Sequence, residues 1–127
     1  MLTTSMPPPR RAARLYGLGT ALPPTATAQP AILRFMTAVA EAANSEEGAR
    51  AIPFLDRIYA GSGIDRRHSV LADYAMEDPS GFGFYPKNAA LEPFPSTARR
   101  LEIYERESAP VAKAAARAAL GIAFFFA

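Results

Sequence analysis

The residues best equipped for chemistry fall in one stretch, "IYAGSGIDRRHSV" (Ile58 to Val70), with Arg57 immediately before it. It holds His68, the single histidine of the chain, and the adjacent pair Arg66 and Arg67. A general base needs a partner within hydrogen-bond reach and a pocket that holds it. No recognisable motif in the stretch sets a nucleophile or a second metal ligand beside it, so the sequence assigns His68 a structural role. Arg57, Arg66 and Arg67 flank a glycine turn. Arginine suits planar, forked contacts with phosphate or carboxylate, so these three are candidate anion ligands. The plainer alternative is a solvated face paired with Asp56 and Asp65. Arg99 and Arg100 open the last helix, where positive charge opposes the helix dipole, and they read as surface residues.

Composition removes whole classes of chemistry. The chain has no cysteine, which excludes disulfides, thiolate metal sites and cysteine nucleophiles. One histidine leaves no histidine cluster for zinc, and no metal site is expected. The formal charge of +2 is too small to imply nucleic acid. Gly17, Gly19 and Gly61 match neither nucleotide-binding glycine fingerprint. Serines stand at 5, 45, 62, 69, 80, 96 and 108, yet no motif places His68 to activate one.

The elements that must position these groups read as a single α/β unit of 127 residues. Residues 1–11, with three consecutive prolines, read as a disordered arm. "RLYGLGTAL" (14–22) is strand-like with little charge on either face, and Pro23-Pro24 ends it. Arg10, Arg11 and Arg14 before "LYGLGTALPPTATA" imitate an export signal cleaved after Ala28. The short apolar run, its glycines and Pro23-Pro24 favour a first strand instead. No apolar run approaches the roughly 20 residues of a membrane span.

Pro30 starts a helix whose buried stripe is Ile32, Phe35, Met36, Val39 and Ala43. Ser45 caps a second helix that Pro53 should kink or restart and that stops at Gly61. "GIDRRHSVL" alternates as a weak strand. Residues 73–95 form a long loop with five aromatics, which should pack down or wrap a neighbouring surface. A last helix runs from Ser96 to about Leu120, with Leu101, Tyr104, Val111, Ala115 and Ala119 inside. A Glu102–Arg106 pair should lie outside, with a kink at Pro110. Residues 121–127 form an atypical apolar tail.

Three segments, "GLGTALPP", "FLDRIYAGSGIDRRHSVL" and "LEPFPSTARRLEIYERESAPVAKAAARAAL", resemble in that order the N-terminal region of type III polyketide synthases, the chalcone and stilbene synthase family. The likeness covers residues 15–120, about the first third of such an enzyme, within a region spanning 12–120. It implies the N-terminal part of a thiolase-like αβαβα layered fold, mostly helical in this fragment. The parent would be a cytoplasmic homodimer that condenses malonyl-CoA onto a starter acyl-CoA. The cysteine, histidine and asparagine that carry this chemistry lie downstream in the family, so no catalytic residue is carried onto this chain. His68 falls at a non-catalytic place.

The resemblance also implies basic residues at the entrance of the CoA tunnel. One matches, Arg57; the other two positions are Phe54 and Gly61. The ending "GIAFFFA" departs from the family and looks truncated or misjoined. Two alternatives are a non-catalytic interaction protein pairing with a full-length synthase, and a small exported binding protein.

Overall fold

A computed structural model describes residues 15–125; the proposed arm at 1–11 lies outside the described residues. Among the described residues the fold is α/β and mostly helical, with three α-helices and one small antiparallel sheet. Strand β1 (Thr25–Ala28) pairs with β2 (Arg66–Ser69), with Thr25 opposite Ser69, Ala26 opposite His68, Thr27 opposite Arg67 and Ala28 opposite Arg66. β2 is the strand that the alternation in "GIDRRHSVL" predicted.

The first strand differs from the sequence reading. Residues 15–22 form no strand, and Leu15, Tyr16, Leu18 and Leu22 are exposed. The pairing instead begins beyond Pro23-Pro24, at two β-branched threonines. The reason is partly local: glycine is depleted in strands, proline donates no ladder hydrogen bond, and threonine favours the pleat. Gly19 rests against the last helix so closely that an added Cβ would collide with the backbone of Ala115 and Ala119.

β1 runs without a connecting loop into α1 (Gln29–Ala42), with Pro30 in its first turn. The Gln29 amide donates to the carbonyl of Asp65 at 2.8 Å, which ties the start of α1 to the approach of β2. Ala28 and Gln29, the residues flanking the imitated cleavage site, are therefore a strand–helix junction. Ile32 and Phe35 are buried and Met36 and Val39 partly so, as the helical stripe predicted; Ala43 lies past the helix end and is exposed.

In α2 (Glu46–Gly61) the Ser45 hydroxyl accepts the Gly48 amide at 3.0 Å, and Glu46 and Glu47 occupy the first turn. That placement favours the positive end of the helix. The helix runs through Pro53 as one element. Gly48 is needed where the two helices meet, because a Cβ there would strike the Ala40 carbonyl.

Residues 73–95 pack down. Phe35, Phe82 and Leu91 form the core cluster, with Tyr74 and Tyr85 against it. Tyr74 meets Phe35 edge-on at 5.2 Å between ring centres, and its hydroxyl lies 2.9 Å from that of Tyr85. Burial, and then the bond to Tyr85, push the Tyr74 phenol above its ordinary value. The loop is shaped by Asp73, which is only 3% exposed. Its carboxylate accepts the backbone N–H groups of Gly83 (3.1 Å), Phe84 (2.9 Å) and Tyr85 (2.8 Å).

α3 (Thr97–Phe125) follows Ser96, whose hydroxyl accepts the Arg99 amide at 3.2 Å. It continues through Pro110 and past Leu120, so residues 121–125 extend the helix and are not a separate tail. Its inner face includes Val111, Ala115 and Ala119 as expected but differs in the first turns. Ile103 is 9% exposed, whereas Tyr104 is 67% exposed and Leu101 lies outside. The half-buried positions Glu107, Val111, Ala115 and Ala119 continue the stripe from Ile103. A four-residue repeat fixed by Ile103 rotates the contact away from Leu101 and Tyr104. Arg99 pairs with Glu102 on the exposed side, and Arg106 pairs with Glu107 at the edge of the stripe, in place of the expected Glu102–Arg106 pair.

Candidate functional site

Arg57 lies exposed on the last two turns of α2. Its guanidinium stands 5.8 Å from the ring centre of Phe54, one turn earlier on the same face. It has no ion pair among the described residues, and neither Asp56 nor Asp65 pairs with the neighbouring arginines. An exposed cation lightly held over an aromatic ring keeps most of its donors available to an anion. Gly61, the end of α2, is open: a Cβ there would meet nothing within 4 Å.

Arg67 is set quite differently. Its Nε donates to Gln29 Oε1 at 2.9 Å, and its guanidinium lies 5.6 Å from the ring centre of Tyr59. Gln29 is buried and donates in turn to the Ser62 hydroxyl at 2.9 Å. The turn after α2 is completed at Gly63, whose φ of +63° lies in the region that favours glycine. The three arginines thus do not form one site. Arg67 lines a cavity of about 350 Å³ between the sheet, α1 and α2, a cavity that neither Arg57 nor Arg66 lines.

His68 fastens two segments together. Its Nδ1 lies 3.0 Å from the carbonyl oxygen of Pro23. A carbonyl can only accept, so Nδ1 carries the proton and the ring fastens the segment before β1 to β2. No hydroxyl hydrogen-bonds to the ring among the described residues. Arg99 and Arg100 are likewise accounted for at the surface, by Glu102 and by the Phe94 ring at 6.0 Å. Among the described residues no three histidine, aspartate or glutamate side chains gather where they could hold a metal ion.

A second cavity, also of about 350 Å³, lies between α1 and the 73–95 loop. Phe35, Val39, Met76 and Phe82 give it apolar walls, and the Arg34–Glu77 pair, 3.4 Å apart, stands at its edge. Sequence reasoning foresaw the descent of the loop aromatics but missed this cavity and the Asp73 clamp. It also missed the Gln29–Arg67 link. The available signal was an aspartate about ten residues ahead of a glycine-aromatic run, "DYAMEDPSGFGFY", a pattern that suits a carboxylate holding backbone amides.

Comparison with protein-family models, with curated proteins and with solved structures gives no match for this chain. Among the described residues no helix is long and apolar enough to cross a membrane.

Proposed function

We propose that this chain is the N-terminal region of a type III polyketide synthase. In that reading its α/β fold is the opening part of a thiolase-like αβαβα sandwich, and the complete enzyme is a cytoplasmic homodimer. The parent activity is acyl transfer: malonyl-CoA is condensed onto a starter acyl-CoA with loss of CO2 and release of CoA. Arg57 contributes to the entrance of the CoA tunnel by pairing with phosphate. No residue of this chain is a catalytic one, because the nucleophilic cysteine and its histidine and asparagine partners belong to the remainder of the enzyme.

The observation that carries the reading is an open core. A folded protein of 13.6 kDa exposes about 6,600 Å² by the usual scaling of surface with mass. This chain exposes 10095 Å². Subtracting the most that residues 1–14 and 126–127 can contribute still leaves roughly 1,000 Å² in excess of a closed unit of the remaining size. The excess is apolar in character: Leu15, Leu18, Leu101, Tyr104 and Leu120 are exposed, and only Ile32, Phe35, Phe82, Leu91 and Ile103 are buried hydrophobics among the described residues. Among the described residues the two-stranded sheet also presents two unpaired edges. Further strands and helices of a layered sandwich would cover both.

The open surface also suits a second reading, a non-catalytic partner docked on a full-length synthase. The purified chain, given malonyl-CoA and a panel of starter acyl-CoAs, should release neither CO2 nor free CoA above the blank. A protein extended through codons following Ala127, if they encode the cysteine, histidine and asparagine, should release both. Steady CoA release by the 127 residues alone would overturn the proposal. A sharp, cooperative melt of a monomeric 127-residue chain would favour the docked-partner reading.

A further inference from the structure

We propose that the cavity between the β1–β2 sheet, α1 and α2 binds a compact carboxylate with an apolar body, its charged head held by Arg67 and Thr27. This site is separate from the surface that carries Arg57.

Three independent features support it. The first is an orphan polar group. Thr27 lines the cavity and is 3% exposed, and its hydroxyl has no hydrogen-bond partner among the described residues. A buried hydroxyl without a partner destabilises the protein that carries it, and such groups are rare enough to call for an explanation. A threonine turns about χ1 between staggered positions, so a ligand filling the cavity can recover that hydroxyl as a donor.

The second feature is the register of the sheet. Thr27 and Arg67 stand directly opposite one another on antiparallel strands, so their side chains share one face. Arg67 is anchored at Nε by the buried Gln29 Oε1, while its terminal amino groups make no hydrogen bond or ion pair among the described residues. A guanidinium held by one nitrogen and free at the others is oriented in advance for a forked bond to a carboxylate.

The third is the remainder of the wall. Ile32 and Met36 of α1 with Tyr59 and Tyr74 give it an apolar body, and His68 and Ser69 of β2 complete the lining. At about 350 Å³ it lies at the small end of ligand pockets, which combine apolar walls with a few convergent polar groups. A carboxylate matches the single cation, and a short, bulky hydrocarbon body matches the walls. A phosphate monoester would leave most of that apolar surface unused.

The test is a titration of the full chain with sodium 4-tert-butylbenzoate, followed by amide NMR shifts at Thr27 and Arg67. The uncharged 4-tert-butylbenzamide serves as comparison. Saturable binding is expected for the carboxylate, roughly tenfold tighter than for the amide, since a charged pair is replaced by a neutral one. Arg67→Lys should weaken carboxylate binding by about the same factor, because the charge remains and the fork is lost. Thr27→Val should weaken it several-fold yet raise the thermal midpoint of the free protein, because an unpartnered hydroxyl is exchanged for a methyl. That combination separates a ligand-binding threonine from a structural one, whose replacement would lower the midpoint. Arg106→Ala, at an exposed position of α3 that does not line the cavity, should bind as the unaltered chain does. Absence of saturable binding, equal affinity for the amide, or unchanged affinity in Arg67→Lys would each overturn the proposal.

Discussion

Asp73→Asn changes one atom and should loosen the whole 73–95 loop. In the native arrangement one carboxylate oxygen accepts from Phe84 and Tyr85 at 2.9 and 2.8 Å, and the other accepts from Gly83 at 3.1 Å. An asparagine can place its single oxygen only at one of these two positions. Its best choice keeps the Phe84 and Tyr85 bonds and turns the amide NH2 against the Gly83 N–H, donor against donor. The two bonds that survive lose their charge assistance, which costs about 1 kcal/mol each, and the third is lost at about 1–3 kcal/mol. Allowing for water reaching the partly exposed Gly83, the sum is about 2–4 kcal/mol. The assay is amide hydrogen exchange, which reports local opening and does not require the whole chain to unfold in one step. Exchange at Gly83, Phe84 and Tyr85 should accelerate roughly thirty- to a thousand-fold, since each 1.4 kcal/mol is about a factor of ten. Amides of α2, such as Leu55 and Arg57, should change little. Acceleration below about threefold at the three loop amides would refute the clamp.

Further outcomes follow from the same geometry. Gly19→Ala should detach residues 15–22 from α3, through a backbone collision worth about 1–3 kcal/mol, and chymotrypsin cleavage at Tyr16 should quicken. In the complete enzyme Arg57→Ala should raise KM for CoA thioesters several-fold, about 1–2 kcal/mol, with kcat nearly unchanged; a collapsed kcat beside an unchanged KM would reject its role. Gly61→Lys, placed in open space at the end of α2, should lower that KM, and steady-state kinetics would expose the error if it rose. The folded Tyr74 phenol holds its proton more tightly than the unfolded one, whose value is 10.0. Its stabilisation is therefore complete below pH 10 and is lost as pH rises above that toward the folded value. Exchange in the loop should quicken above pH 10 beyond the intrinsic base-catalysed rise, and Tyr74→Phe should remove the excess.

The helices were legible because their signals are local. Ser45 followed by two glutamates sets a cap, and Ile32, Phe35, Met36 and Val39 recur at helical spacing, so neither needed knowledge of a distant partner. β2 was legible for the same reason. The strand expected at 14–22 failed because a low-charge run says only that a segment is apolar, whereas pairing requires a second strand in register. That partner, Arg66–Ser69, met Thr25–Ala28. The first turns of the inner face of α3 were misplaced because Leu101 and Tyr104 fit a helical stripe as well as Ile103 does. The burial of one of two overlapping stripes is a tertiary choice. Of the candidate site, the cations could be read and their surroundings could not. Arg57 and Arg67 look alike as letters; one rests on an exposed ring, and the other is joined to a glutamine 38 residues away.

The three bonds that Asp73 accepts close residues 73–85 into a ring with a projecting tip. Tyr74 and Phe82 sit at the two feet of the ring and belong to the core, while residues 76–78 and Ser80 project outward. The tip touches α1 through Glu77 and forms one wall of the α1–loop cavity through Met76 and Pro79. It is a cassette. Its length and composition can vary between the two feet without disturbing the aromatic cluster, because the ring is closed below it. Exchange of these few residues is thus a route by which the cavity's entrance can be retuned while the fold underneath stays as it is, and an inserted peptide would be carried there with little strain.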